Sequence, residues 1–211
     1  VAIMPCTCKQ YEANREEMQN NGYKDVDLVV TTRQLAVLLK AEGIDLKDLE
    51  PQGFDVPLGG YCGAGAIFGV TGGVMEAALR SVSYLLDKTA IENVEFKSIR
   101  GFKGIKEAKI EINGKTHNIA VAQGLANVSK LMDEIKQGKS KYSFIEVMTC
   151  PGGCINGGGQ PLVSDYVASK IDYKKLRAKA LYKADKKAKY RKSHENPEVK
   201  ILYDEFLEKP N

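Results

Sequence analysis

Tryptophan is absent from this chain, histidine occurs only twice, and no internal repeat or low-complexity linker is visible. No run of about 18 apolar residues occurs either, which excludes a membrane-spanning helix of the usual kind. The start carries no basic, apolar, cleavable leader pattern, so nothing argues for secretion, and a cytoplasmic location is expected. The two histidines, His117 and His194, read as surface or hydrogen-bonding groups rather than ligands. Five cysteines are too few and too closely paired for a disulfide framework: Cys6 with Cys8, Cys150 with Cys154, and Cys62 by itself. Close pairs fit metal or redox chemistry better. What is present is ordinary for a globular protein, with 43% hydrophobic and 27% charged residues in 211, so wholesale disorder is excluded.

The net charge of +4 is local in origin. Between Lys174 and Lys192 ten Lys and Arg stand against one acid, Asp185, and the rest of the chain is net negative. Such a stretch can meet nucleic acid or an acidic partner. No aromatic platform or reader motif accompanies it, so a solvated helix face is preferred and no nucleic-acid partner is expected. Leu176, Ala180, Leu181, Ala184 and Ala188 are the expected inward side of that helix.

Upstream, Val26 to Thr31 reads as a buried strand, and Thr31 or Thr32 caps a helix that runs to Lys40 and stops at Gly43. Residues 50–72 read as a Gly-rich loop too long for a simple connector. A helix is predicted from Gly73 to Lys88, with Val74, Ala77, Ala78, Leu85 and Leu86 inward. Glu76 and Arg80 on it are expected to form a helical ion pair worth a few tenths of a kcal/mol. Asn113-Gly114 between KEAKIEI and KTHNIAVA predicts a hairpin. A helix over Leu125–Gln137 and a strand over Tyr142–Met148 follow. Pro197 in SHENP sits where a helix begins. Alternating strands and helices with a hairpin imply an α/β fold with a helical C-terminal extension. The expected division is residues 1–165 as the α/β part and 166–211 as the basic helical extension.

Chemistry concentrates in two segments. In FIEVMTCPGGCINGGGQP, Cys150 and Cys154 are accompanied by five glycines between Gly152 and Gly159. Thiolates ligate iron–sulfur clusters and other soft centres, and glycines permit close approach and the positive φ of an anion-binding nest. Two structural thiols or a zinc half-site is the competing reading. The second segment, MPCTCKQYE, opens the chain. Pro5 suits a helix first turn aimed at whatever Cys6 binds, and Lys9 shares a face with Cys6. Glu12, one turn on, is placed to orient Lys9. Cys8 and Cys62 are expected to be structural.

Taken together, MPCTCKQYE, VDLVVTTRQL, FGVTGGVMEAALR, FIEVMTCPGGCINGGGQP and SHENPEVKILYDEFL resemble the catalytic domain of the iron-only ([FeFe]) hydrogenases. The resemblance implies one lobe of a two-lobed α/β domain and an H-cluster, a [4Fe–4S] cubane joined through a cysteine sulfur to a two-iron unit carrying CO, cyanide and a bridging dithiolate amine. It implies Cys6, Cys150 and Cys154 as metal ligands, with Cys154 bridging, and Lys9 as the hydrogen-bond donor to a cyanide. Pro5 and Gln160 match residues lining the diatomic ligands, and Met4 and Met148 match methionines beside the two-iron unit. The implied reaction is H2 ⇌ 2 H+ + 2 e−, in anaerobic metabolism, with ferredoxin or another electron carrier as partner.

Two family elements are absent: the Thr-Ser-Cys-Cys-Pro type segment that supplies the fourth cubane ligand and a proton-relaying cysteine, and the usual His-containing C-terminal tail. A fragment or one part of a split enzyme is therefore expected, inactive without the missing lobe or subunit. The alternative is a hydrogenase-like iron–sulfur assembly or sensing protein without H2 turnover. Lys9, Met148 and GGGQP argue against it, because a plain cubane needs no diatomic-ligand pocket.

Overall fold

A computed structural model describes residues 1–56, 58–87, 95–112 and 114–207. In chain order the elements are β1 (Ala2–Met4), α1 (Cys8–Glu12), the short strands β2 (Gln19–Asn20) and β3 (Tyr23–Lys24), β4 (Val29–Thr31) and α2 (Thr32–Ala41). Then come α3 (Gly63–Ala66), α4 (Gly73–Asp87), β5 (Ile105–Ile112), β6 (Lys115–Gln123), α5 (Leu125–Lys136) and β7 (Phe144–Met148). The chain ends in α6 (Asp165–Ala168), α7 (Tyr173–Lys187), α8 (Pro197–Ile201) and a π-helical turn over Leu202–Leu207. The fold is mixed α/β, as expected. No helix among the described residues is long and apolar enough to cross a membrane.

By internal packing the chain forms two units. Unit 1 comprises Val1–Gln52 with Cys154–Lys174, and unit 2 comprises Gly53–Gly153 with Lys175–Asn211.

Unit 1 is built on the parallel pair β1–β4, in register Met4 to Thr31. The strand expected over Val26–Thr31 is confined to its last three residues, because Leu28 faces solvent. The expected cap of α2 is present. The Thr31 hydroxyl accepts from the Gln34 backbone N–H, and the Gln34 side chain accepts in return from Thr31 N–H at 2.9 Å. Gly43 at φ 68° ends the helix. Gln10 on α1 donates to the Val29 carbonyl and to Gln34 Oε1, which ties α1, β4 and α2 together.

Unit 2 is a three-stranded sheet in the order β5–β6–β7, antiparallel then parallel. The hairpin pairs Ile112 with Lys115; Asn113 lies outside the described residues and Gly114 has φ 69°. Alternation along β6 sends Ile119 and Val121 to one face, where Met75 and Leu79 of α4 and Ile99 pack. Ala120 and Ala122 face Leu131 of α5. The inward face expected for α4 is wrong at three of its five positions. Ala78, Leu85 and Leu86 are exposed, and Met75, Glu76, Leu79 and Arg80 are buried instead. Lys88, the expected end of that helix, lies outside the described residues.

The segment read as a loop over 50–72 contains α3 and a 3-10 turn over Ile67–Gly69, with Ala64, Ile67 and Val70 buried. Gly63 is required there because a Cβ would sit 2.2 Å from Asp185 Oδ1. Asp185, the one acid of the basic stretch, is fully buried. Helix α7 accordingly turns Ala178 and Asp185 inward, and Leu176, expected inside, is exposed.

The Glu76–Arg80 pair is no surface pair. Arg80 is fully buried and donates to both Asp185 carboxylate oxygens, at 2.7 and 2.9 Å, and to Glu76 at 2.8 Å. Arg100 donates twice to Glu76, and Arg191 reaches Asp185 at 2.6 Å. Burial opposes these charges, but the hydrogen bonds prevail. They raise the Arg80 pKa and hold Asp185 below its ordinary value.

Candidate functional site

Six of the eight expected site residues belong to unit 1: Met4, Pro5, Cys6, Lys9, Cys154 and Gln160. Within it, two segments distant in the sequence meet backbone to backbone. Gly159 N–H donates to the Pro5 carbonyl at 3.2 Å, and Gly157 N–H donates to the Cys154 carbonyl at 2.9 Å. A Cβ on Gly157 would stand 2.0 Å from the Pro5 oxygen and 3.1 Å from the Cys154 oxygen. On Gly159 it would be 2.6 Å from the Cys6 nitrogen and 2.9 Å from Thr31 Cβ. These glycines are therefore demanded by the chain itself, which lays Pro5–Thr7 against Gly157–Gly159. Of the five glycines expected to permit a nest, Gly152 and Gly153 have the positive φ it needs, at 91° and 93°, and the three that follow Asn156 do not.

The GGGQP end is further held by α2. Thr32 Oγ1 donates to the Gly159 carbonyl at 2.8 Å, Arg33 N–H donates to the same oxygen at 3.1 Å, and the Arg33 guanidinium reaches the Gly158 carbonyl at 3.2 Å. Thr32 also lies 3.4 Å from Gln160 Oε1. The N-terminal turn of α2 thus fixes the side of the site that bears Gln160. In the sequence Thr32 reads as a candidate helix cap and both residues lie in VDLVVTTRQL, but neither reads as a support of the glycine segment.

Pro5 does not open a helix. It lies in a bend, and α1 begins only at Cys8, after a Thr7 that makes no side-chain cap. The backbone of Pro5–Thr7 is engaged by the glycine segment instead, so a helix dipole is not what addresses Cys6. Lys9 and Glu12 do form the ion pair expected one turn apart. Met4, Lys9 and Glu12 line one cavity of about 250 Å³, with Met18 and Val29 on its wall.

Unit 2 carries the other two expected site residues, Met148 and Cys150. Met148 ends β7, and its carbonyl accepts from Gly124 N–H at 2.8 Å. The Cys150 loop closes on itself through Gly153 N–H to the Cys150 carbonyl at 2.9 Å. Two buried charged residues support its base. Glu146 on β7 accepts from the backbone N–H of Gly72 and Met75, at 2.6 and 2.7 Å, and so caps α4. Lys106 on β5 donates to the Thr71 and Gly101 carbonyls, at 2.9 and 3.0 Å. Burial lowers its pKa to about 8, against the attraction of Glu146. Both were invisible in the sequence, where a charged residue in an alternating strand reads as solvent-facing.

The donor set fits a thiolate-bound cluster in kind. Cys6, Cys150 and Cys154 are each partly buried, whereas Cys8 is exposed. Cys62, at the start of α3, faces the Ser193 hydroxyl at 3.6 Å. Among the described residues no three His, Cys, Asp or Glu side chains converge as they would on a single ion. The histidines hold other work: His117 meets Ser143, and His194 meets Ser81 at 2.9 Å and stacks on Tyr84.

Comparison with known proteins gives two family matches. A family described as iron only hydrogenase large subunit, C-terminal domain, matches residues 1–158. One described as iron hydrogenase small subunit matches residues 171–211. The chain is 47% identical over its whole length to iron hydrogenase 1 of Clostridium pasteurianum, of which it spans 37%. It is 37% identical over 170 residues to cytosolic iron-sulfur assembly component 3 of Pongo abelii, covering 76% of this chain and 35% of that protein. A solved variant of [FeFe]-hydrogenase HydA1 from Chlamydomonas reinhardtii superposes with a TM-score of 0.76 at 37% identity, covering 99% of this chain and 58% of that one. The chain thus spans little more than a third of the curated relatives' length.

Proposed function

The chain belongs to the iron-only hydrogenase large-subunit family, and from that premise we propose that it is the cluster-binding part of an [FeFe]-hydrogenase catalytic subunit. The observation that carries this reading is the convergence, inside unit 1, of the Met4–Lys9 and Cys154–Gln160 segments through contacts that admit only glycine.

In this proposal Cys6, Cys150 and Cys154 hold an H-cluster, and a further cysteine comes from a segment or subunit outside this chain. Residues 1–165 act as the cluster-binding lobe and 166–211 as its helical extension. When bound, the cofactor supplies the iron at which H2 interconverts with two protons and two electrons. The protein's own residues hold and shield it. Lys9, kept in place by Glu12, offers an ammonium to an anionic iron ligand such as cyanide. Gln160, fixed beside Thr32, offers a carboxamide, while Met4 and Met148 provide soft, apolar walls. Electrons pass to a ferredoxin-type carrier, and the setting is cytoplasmic.

A second reading, an iron–sulfur assembly or sensing protein without H2 turnover, draws on the likeness to the assembly component. Greater identity to the hydrogenase, 47% against 37%, favours the first. Anaerobic infrared spectroscopy separates them. The chain, complemented with a segment bearing the missing cysteine motif and matured, is expected to absorb where metal-bound CO and cyanide do, and to take up H2. Iron and sulfide without those bands would reject the hydrogenase reading in favour of the second. The chain alone is expected to show no turnover.

A further inference from the structure

The loop that carries Cys150 is gripped at a single residue from both sides. Gly152 N–H donates to Gln123 Oε1, and the Gly152 carbonyl accepts from Thr71 N–H at 3.2 Å. Gly153 leaves no room to shift, since its Cβ position lies 2.7 to 3.0 Å from backbone atoms of Gly69, Val70 and Thr71.

Each jaw of this grip is itself anchored. Gln123 is only 5% exposed and ends β6, next to Met148 in register. Its Nε2 donates to the Lys103 carbonyl at 3.0 Å, its backbone N–H to Gly104 at 2.9 Å, and its carbonyl accepts from Asn127 Nδ2 at 2.8 Å. The carboxamide can neither rotate nor swap ends without breaking one of these bonds. On the other side the Thr71 carbonyl and hydroxyl both accept from Lys106, and Gly72 donates to Glu146. A lysine 4% exposed in a strand is costly; it donates to both oxygens of Thr71, whose N–H holds Gly152, and to the Gly101 carbonyl.

We propose that Gln123, with Thr71 held by Lys106, is a positioning device for the Cys150 thiol. It fixes the loop before any metal arrives, so that this ligand is presented in one geometry. The proposal rests on the assignment of Cys150 as a cluster ligand, but the clamp is made of protein atoms alone and is tested in the metal-free chain.

In the metal-free full chain, Gln123→Met removes the acceptor for Gly152 and keeps the side-chain length. Alkylation followed by peptide mass spectrometry is expected to show Cys150 reacting about fivefold faster, the factor that loss of one net hydrogen bond puts on a local opening equilibrium. Cys62, in the same unit, is expected to keep its rate. Equal acceleration of both cysteines, or no change at Cys150, overturns the proposal. Hydrogen exchange of the unaltered chain gives a check that needs no variant: the Gly152 amide is expected to exchange slowly, and rapid exchange overturns the clamp. After anaerobic reconstitution with iron and sulfide in the presence of a segment bearing the missing cysteine motif, the variant's cluster is expected to give an altered paramagnetic resonance signal. An identical signal means that the clamp does not position the ligand. Failure of either protein to take up iron speaks against the cluster assignment and leaves the alkylation result to decide the clamp.

Discussion

The two units of this chain are held together by different physics. Unit 1, which carries most of the expected site, buries few apolar side chains, Ala13, Val29 and Ile155 among them, and relies on backbone hydrogen bonds and glycine contacts. Unit 2 packs apolar side chains on both faces of its sheet and adds a fully buried ionic cluster around Arg80. Where two backbones approach as closely as Pro5–Thr7 and Gly157–Gly159 do, no side chain fits between them, so unit 1 has close main-chain contact where unit 2 has apolar packing.

The contrast is broken most severely at Arg80. Replacing it with methionine removes the guanidinium that Asp185 and Glu76 share and leaves them only the partly exposed Arg191 and Arg100, at a cost of up to about 3–5 kcal/mol. A fall of that size in the urea unfolding free energy of the chain is expected. A loss below about 1 kcal/mol, the range of surface pairs, would mean that unit 2 stands on its apolar core and that the contrast is overdrawn.

Lys106 tests unit 2 through pH. Its folded pKa of about 8 lies below the ordinary 10.5, so between those values the unfolded chain binds more protons than the folded one. Stability contributed by this group therefore rises as pH increases through that window, by on the order of 3 kcal/mol at most. Denaturant midpoints from pH 7.5 to 10.5 are expected to climb for the unaltered chain relative to Lys106→Met. Parallel profiles for the two proteins would remove the buried ammonium from the account.

Gly157→Ala attacks unit 1 with a single methyl group. Its Cβ would collide with the Pro5 carbonyl, and overpacking of that kind costs about 1–3 kcal/mol. The expected signature is asymmetric. Hydrogen exchange accelerates around Pro5–Lys9 and iron uptake falls, while amides of β5 and β6 keep their protection. Alanine accepted with full iron uptake would show that the close approach is dispensable.

Sequence reading succeeded where the causes are local and failed where they are distant. The cap of α2 was visible because Thr31 and Gln34 are neighbours, and the hairpin because its turn residues sit between matched strands. The inward face of α4 was misassigned because charged residues ordinarily point outward. Arg80 points inward for the sake of Asp185, 105 positions later, which a helical period cannot reveal. The glycines after Asn156 stand out in the sequence as sites of close approach, but that they make room for Pro5–Thr7, some 150 residues upstream, does not. The supporting roles of Thr32, Arg33, Gln123 and Lys106 are hidden for the same reason, since each acts through a partner far away in the chain.

The smallest expected change in stability falls on the pair nearest the proposed chemistry. Lys9 and Glu12 are both substantially exposed, with side-chain accessibilities of 46% and 37%, and an i,i+3 pair of that kind contributes about 0.2–0.5 kcal/mol. Glu12→Gln should therefore leave the melting temperature of the chain nearly unchanged. If the pair serves only to stabilise α1, nothing else follows from the substitution. If Glu12 aims Lys9 at an anionic iron ligand, the cyanide bands of the matured, complemented protein shift while its thermal stability does not. A glutamine keeps the size of the side chain and removes the charge that restrains the ammonium, so a band shift without a stability change isolates orientation from folding. Unchanged bands would assign Glu12 to the helix alone and leave Lys9 to be oriented by Met4, Met18 and the other walls of its cavity.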